Sequence, residues 1–152
     1  MTGVQTCALP IWWHRHRHSE GLGHLYQGTY KSFPVQDDRH FSTVARYVER
    51  NPLRAKLVAK AEDWQWGSLW RREQGDGAQR EILTEWPVRR RHDWLDWVNL
   101  AQTDKELSLL RESIRRGRPF GSATWQQATA KRLNLQSSFR PRGRPKKDKS
   151  GR

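Results

Sequence analysis

Residues 37–58 read DDRHFSTVARYVERNPLRAKLV, and the architecture becomes legible there first. Asp37 or Asp38 can cap a helix, because a short side-chain oxygen accepts from the free N–H groups of a first turn. Phe41, Val44, Ala45 and Val48 then recur at helical spacing, which predicts a helix to about Arg50 with those residues inward. Asn51-Pro52 is expected to end it, since the residue before a proline resists the α conformation. A short helix through Leu53, Leu57 and Val58 is expected next. At about 100° per residue, Tyr47 is turned roughly 120° from the apolar line, with Asn51 one turn later on its side. A tyrosine hydroxyl so placed can attack a phosphodiester, given an in-line approach and a metal that offsets the phosphate charge. An asparagine one turn on could give an oxygen to that metal. On spacing alone the plainer reading is a half-buried helix tyrosine and a helix-ending Asn-Pro.

Downstream, Glu62-Asp63 opens a tryptophan-rich turn with Trp64, Trp66 and Trp70, read as core because a small domain needs large side chains to bury area. Residues 73–80 (EQGDGAQR) read as a polar loop. A short helix is expected from Asp93 to Leu100. Thr103 and Glu106 spell a capping box, Leu107, Leu110 and Ile114 a stripe, and Gly117 a C-cap. Ser122 starts a further helix with Trp125, Thr129 and Leu133 inward. Beyond Leu135 only Phe139 is apolar, so 136–152 reads as a disordered basic tail. Upstream, residues 24–35 (HLYQGTYKSFPV) have the aromatic, β-rich content of a strand or a strand and turn, ended by Pro34.

Composition bounds the function. The 152 residues suffice for one domain, or a small domain with a tail. No stretch approaches the ~18 uncharged apolar residues of a membrane helix, so a spanning protein is not expected. A single Cys leaves no internal disulfide framework and no multi-cysteine zinc site, which suits a reducing compartment. The net charge is +13 and unevenly placed: residues 111–152 carry 13 Lys or Arg against 2 acids, residues 1–110 carry 16 against 14. A nearly balanced body with a basic last third predicts a polyanionic partner, with a merely solubilising tail as the alternative. Residues 1–11 (MTGVQTCALPI) match a translation of a common short-read sequencing adapter. They are expected to be an artefact, Trp12 then being internal to a longer protein. No basic region precedes Cys7 to Trp13, so a signal peptide is not expected.

Three stretches carry a resemblance: residues 23–35 (GHLYQGTYKSFPV), 46–58 (RYVERNPLRAKLV) and 62–68 (EDWQWGS). Together they resemble the REP-associated tyrosine transposases, single-tyrosine relatives of the HUH transposase superfamily, with residues 47–68 the most specific block. The resemblance implies an α+β fold: an incomplete ferredoxin-like domain at 12–72, contributing its last strand region and helices, a helical DNA-binding extension at 73–135, and the basic tail at 136–152. It implies that the intact protein cleaves and rejoins single-stranded DNA at hairpin-forming repeats. Tyr47 is then the nucleophile that forms a 5′-phosphotyrosine, and Asn51 a weaker metal-ligand candidate for magnesium or manganese. That metal is held in the family mainly by a His-hydrophobic-His strand, and no such triplet occurs here. His14, His16 and His18 have the spacing but an arginine between each pair, so they read as a DNA-contacting or surface patch. The expectation is therefore an inactive fragment that binds DNA and holds no metal stably, in the cytoplasm on the nucleoid.

Residues 140–147 (RPRGRPKK) resemble an AT-hook, whose Arg-Gly-Arg-Pro core lies extended in a narrow A·T minor groove. Arg140, Arg142, Arg144, Lys146 and Lys147 are the contacts this implies; a solvated basic run is the plainer alternative. Arg116-Gly-Arg-Pro119 repeats the core between two helices and makes Arg116 and Arg118 further candidates, although a loop with a C-cap glycine explains it nearly as well. The helices at 103–116 and 122–134 also allow a helix-turn-helix regulator, with a connection long for that motif. Trp12 and Trp13 flank the histidine patch and are the tryptophans best suited to base stacking.

Overall fold

The computed structural model describes residues 31–141 and Gly143. The described residues from Ser32 onward form one structural unit. Its helices are α1 (Asp38–Glu49), α2 (Asn51–Arg54), α3 (Ser68–Glu73), α4 (Gly77–Glu81), α5 (Trp94–Asn99), α6 (Asp104–Arg116) and α7 (Ala123–Arg132), with 3-10 turns at Ala61–Asp63 and Gln136–Phe139. Extended pairing among the described residues is a single parallel bridge, Val35 to Phe120. The described fold is therefore helical. Most of the expected strand region, 24–30, lies outside the described residues, and with it the α+β ferredoxin-like reading.

Helix α1 begins as its sequence dictates. The Asp37 carboxylate accepts from the backbone N–H of Arg39 (3.1 Å) and His40 (3.0 Å), and from His40 Nδ1 (2.7 Å). These bonds from His40 hold Asp37 below the ordinary aspartate range. At the other end, Pro52 interrupts less than expected. Arg50 N–H donates to the Arg46 carbonyl and Arg54 N–H to that of Arg50, both at 2.9 Å, so helical bonding crosses the junction into α2. Pro52 stands in the first turn of α2, where its missing N–H costs no intrahelical bond.

The inward face of α1 departs from the apolar pattern. Arg46 and Glu49 are its buried residues, whereas Val48 is 55% exposed. Phe41, Val44 and Val48 instead line an open groove of about 380 Å³ with Trp86 and Pro87. The core lies beside this groove: Ala61, Leu69, Trp94 and Val98 are buried together, with Ala45, Leu53, Trp86, Leu95 and Trp97 packed on them. Trp94 is the tryptophan at its centre, meeting Trp86 (4.7 Å) and Trp97 (5.3 Å) edge to face. Of the tryptophans read as core, Trp66 is 68% exposed and Trp64 and Trp70 are half-buried; Leu69 takes the inward position between them. Glu49 ties α1 to this core, its carboxylate accepting from Trp94 Nε1 (2.7 Å) and Ser68 Oγ (2.8 Å).

Leu110 and Ser113 on α6, Thr129 and Ala130 on α7, and Pro119 and Phe120 between them are also buried. The Thr103–Glu106 capping box opens α6, and Gly117 closes it in the left-handed region at φ +66°. The connection 117–122 is pinned to the start of α1, because Phe120 exchanges backbone bonds with Pro34 (2.8 Å) and Gln36 (3.0 Å) while its ring meets His40 edge to face. In α7 the inward residues are Thr129 and Ala130; Leu133 follows the last turn and is 47% exposed.

Two expected loops are structured. Within 73–80, Asp76 and Gln79 form a capping box that starts α4. The tail expected from Gln136 starts instead with a 3-10 turn that buries Ser138. No helix among the described residues is long and apolar enough to cross a membrane.

Candidate nucleic-acid interface

Helices α1 and α2 carry Arg46, Arg50 and Arg54 at four-residue spacing, and the backbone bonds from Arg50 to Arg46 and from Arg54 to Arg50 stack them along one side. Each reaches the end of α5 or the residues after it. Arg46 donates to the Leu100 (2.8 Å) and Ala101 (3.3 Å) carbonyls, Arg50 to those of Val98 (2.8 Å) and Asn99, and Arg54 to Gln102 Oε1 (3.5 Å). These include carbonyls that the end of a helix leaves without intrahelical donors. These partners are uncharged, and the Glu106 charge reaches Arg46 only from beyond ion-pair distance. Among the described residues, no carboxylate forms an ion pair with any of the three. Burial pushes the Arg46 and Arg50 guanidiniums below the ordinary arginine range, and the Arg54 charge adds to this at Arg50.

Tyr47 and Asn51 stand beside this ladder, and Arg54 joins them. Its guanidinium lies 4.1 Å from the Tyr47 ring centroid and donates through Nη2 to Asn51 Oδ1. Tyr47 is half-buried and Asn51 exposed. The structure thus brings together the two residues that the resemblance singles out, and adds a cation that the sequence reading missed. Its signal was the arginine repeat at every fourth position, which a search for apolar periodicity passes over.

A divalent metal fits this constellation poorly. The Asn51 oxygen faces a guanidinium, and among the described residues no three His, Cys, Asp or Glu side chains converge. His14, His16 and His18 lie outside the described residues.

The remaining basic candidates divide. Arg116 Nε donates to the Ser138 carbonyl (2.8 Å) and Nη2 to that of Arg140, with Glu112 at 3.9 Å. Arg118 donates to the Ser138 carbonyl (3.2 Å), pairs with Glu112 (3.4 Å) and lies over the Phe139 ring (4.5 Å). Both arginines clamp the start of the tail onto the end of α6. Their Arg-Gly-Arg-Pro stretch is folded, with Gly117 as the C-cap and Pro119 buried, in place of an extended groove-binding strand. Arg140 is exposed. Arg142, Arg144, Lys146 and Lys147 lie outside the described residues. A scan against protein-family models, a search of curated proteins and a search of solved structures each found no match to this chain.

Proposed function

We propose that this chain is a DNA-binding protein of the REP-associated tyrosine transposase type, acting on single-stranded or hairpin DNA in the cytoplasm, on the nucleoid. The observation that supports the reading is the grouping of Tyr47, Asn51 and Arg54 beside an arginine ladder that makes no ion pair with a carboxylate among the described residues. In the reaction the resemblance implies, Tyr47 Oη bonds to phosphorus and the 3′-oxygen leaves. The phenol gives up its proton to solvent, solvent returns one to the departing 3′-oxygen as a 3′-hydroxyl, and the 5′ side stays on the enzyme as a phosphotyrosine. That chemistry draws on a divalent metal, which the described residues do not fit, so the activity assigned to this chain is binding.

The test is a hairpin-bearing single-stranded oligonucleotide incubated with the chain and with Tyr47→Phe, resolved on native and denaturing gels. The reading predicts equal native complexes, within about twofold, because the phenol oxygen serves the chemical step and contributes little to ground-state binding. It predicts no detergent-resistant adduct from either protein. Absence of any native complex would contradict it.

A second reading keeps the DNA binding and drops the transposase type. The same tie between Arg54 and Asn51 that spoils a metal site suits a protein that only binds, with 140–147 as a minor-groove arm mounted on the Arg116–Arg118 clamp. It differs by predicting that an A·T-rich duplex competes as well as the hairpin.

A further inference from the structure

We infer that Arg54 is the phosphate-binding residue of the Tyr47 site, taking one phosphodiester of a single-stranded nucleic acid against the exposed edge of α2. The inference rests on the DNA-binding reading above and adds a specific contact to it. Three arginines make up the ladder, and their surroundings separate them. Arg46 is buried, its Nη2 spent on two carbonyls and its Nε enclosed without a partner. Arg50 is held by two carbonyls at Nη1. Arg54 differs in being held by side chains and not by backbone: one long bond to Gln102 at 3.5 Å and one to the exposed Asn51, with an Nε that bonds nothing among the described residues.

A guanidinium presents five N–H donors in a planar fork, so donors remain for a phosphate oxygen pair while the ring contact with Tyr47 persists. Stacking on Tyr47 also orients that fork before any ligand arrives, which lowers the ordering cost of binding. The mutual repulsion of Arg50 and Arg54, with no carboxylate between them, is relieved by an arriving anion. A phosphate seated there would lie beside the Tyr47 ring and the Asn51 amide. Three side chains drawn from fewer than three helical turns then read one backbone position.

The experiment titrates the full chain into a fluorescent hairpin-bearing single-stranded oligonucleotide across a salt series. It compares the parent protein, Arg54→Ala, Arg54→Lys and Arg132→Ala, the last removing an exposed charge elsewhere. Arg54→Ala should weaken binding about tenfold and flatten the salt slope by about 0.7, the value for one phosphate contact on a single strand. Arg54→Lys should keep the slope and still lose severalfold affinity, because the ammonium keeps the charge without the fork. Arg132→Ala should lose no more than about twofold. A set of oligonucleotides each carrying one neutral methylphosphonate should then reveal one linkage whose neutralisation weakens the parent but leaves Arg54→Ala unaffected. If Arg54→Ala and Arg132→Ala behave alike, or every linkage weakens both proteins equally, Arg54 is no phosphate ligand although the DNA reading stands. If the parent protein binds no oligonucleotide, both readings fall together.

Discussion

Replacing Glu49 by Ala removes the acceptor shared by Trp94 Nε1 and Ser68 Oγ and leaves the buried indole N–H without its partner. An unsatisfied buried donor costs on the order of 1–3 kcal/mol, so Glu49→Ala should lower unfolding stability by about 2 kcal/mol. Val48→Ser, one residue away on the exposed groove face, should change it by less than about 0.5 kcal/mol. Denaturant unfolding of the two variants checks both. A reversed order would restore the apolar-face reading of α1. The spacing of Phe41, Val44, Ala45 and Val48 marks a helix correctly and its buried side only in part, Ala45 packing on the core while Val48 is exposed, for a physical reason. The partners that draw Arg46 and Glu49 inward, Leu100 and Trp94, are 54 and 45 residues away along the chain. Local periodicity carries no trace of them. Tyr47 and Asn51 were legible because their relation is local; the approach of Arg54 to them is local too, and its polar four-residue spacing was the overlooked signal.

At the scale of elements, what the sequence announces is where helices start and stop. Asp37, Thr103 with Glu106, and Gly117 all do what their chemistry requires, because capping bonds are made within three or four residues. The same logic was present and unread at Asp76 and Gln79, whose capping box turns an apparent loop into α4. The Gln136–Phe139 turn is held both locally, by Ser138 Oγ donating to the Leu135 carbonyl, and by Arg116 and Arg118, some twenty residues earlier, which no local pattern announces. Two glycines test how far backbone conformation matters. Gly117→Ala forces a Cβ into a left-handed conformation and should cost about 1 kcal/mol or more. Gly77 opens α4 with nothing within 4 Å of where a Cβ would stand, so Gly77→Ala should be neutral or stabilising by up to about 1 kcal/mol. Thermal unfolding midpoints that moved together in the two variants would remove the assigned role of the Gly117 cap.

Across the whole molecule, charge is abundant but not all of it is available to a ligand. Among the 13 basic residues of 111–152, Arg115, Arg116 and Arg118 already pair with Glu112, and two of these also hold the tail onto α6. The phosphates neutralised on binding should therefore number fewer than the net charge of +13 suggests, with the folded α1–α2 edge contributing alongside the terminal residues. This division separates a protein that reads unpaired DNA on its folded surface from one driven by a basic arm alone. The most direct measurement is a competition experiment with the full chain bound to a labelled hairpin-bearing single strand at ~0.15 M salt, displaced by the unlabelled hairpin or by an A·T-rich duplex of equal length. The hairpin should compete about tenfold more strongly, a difference of ~1.4 kcal/mol. A duplex that competes equally or better would contradict recognition of unpaired DNA by the folded surface.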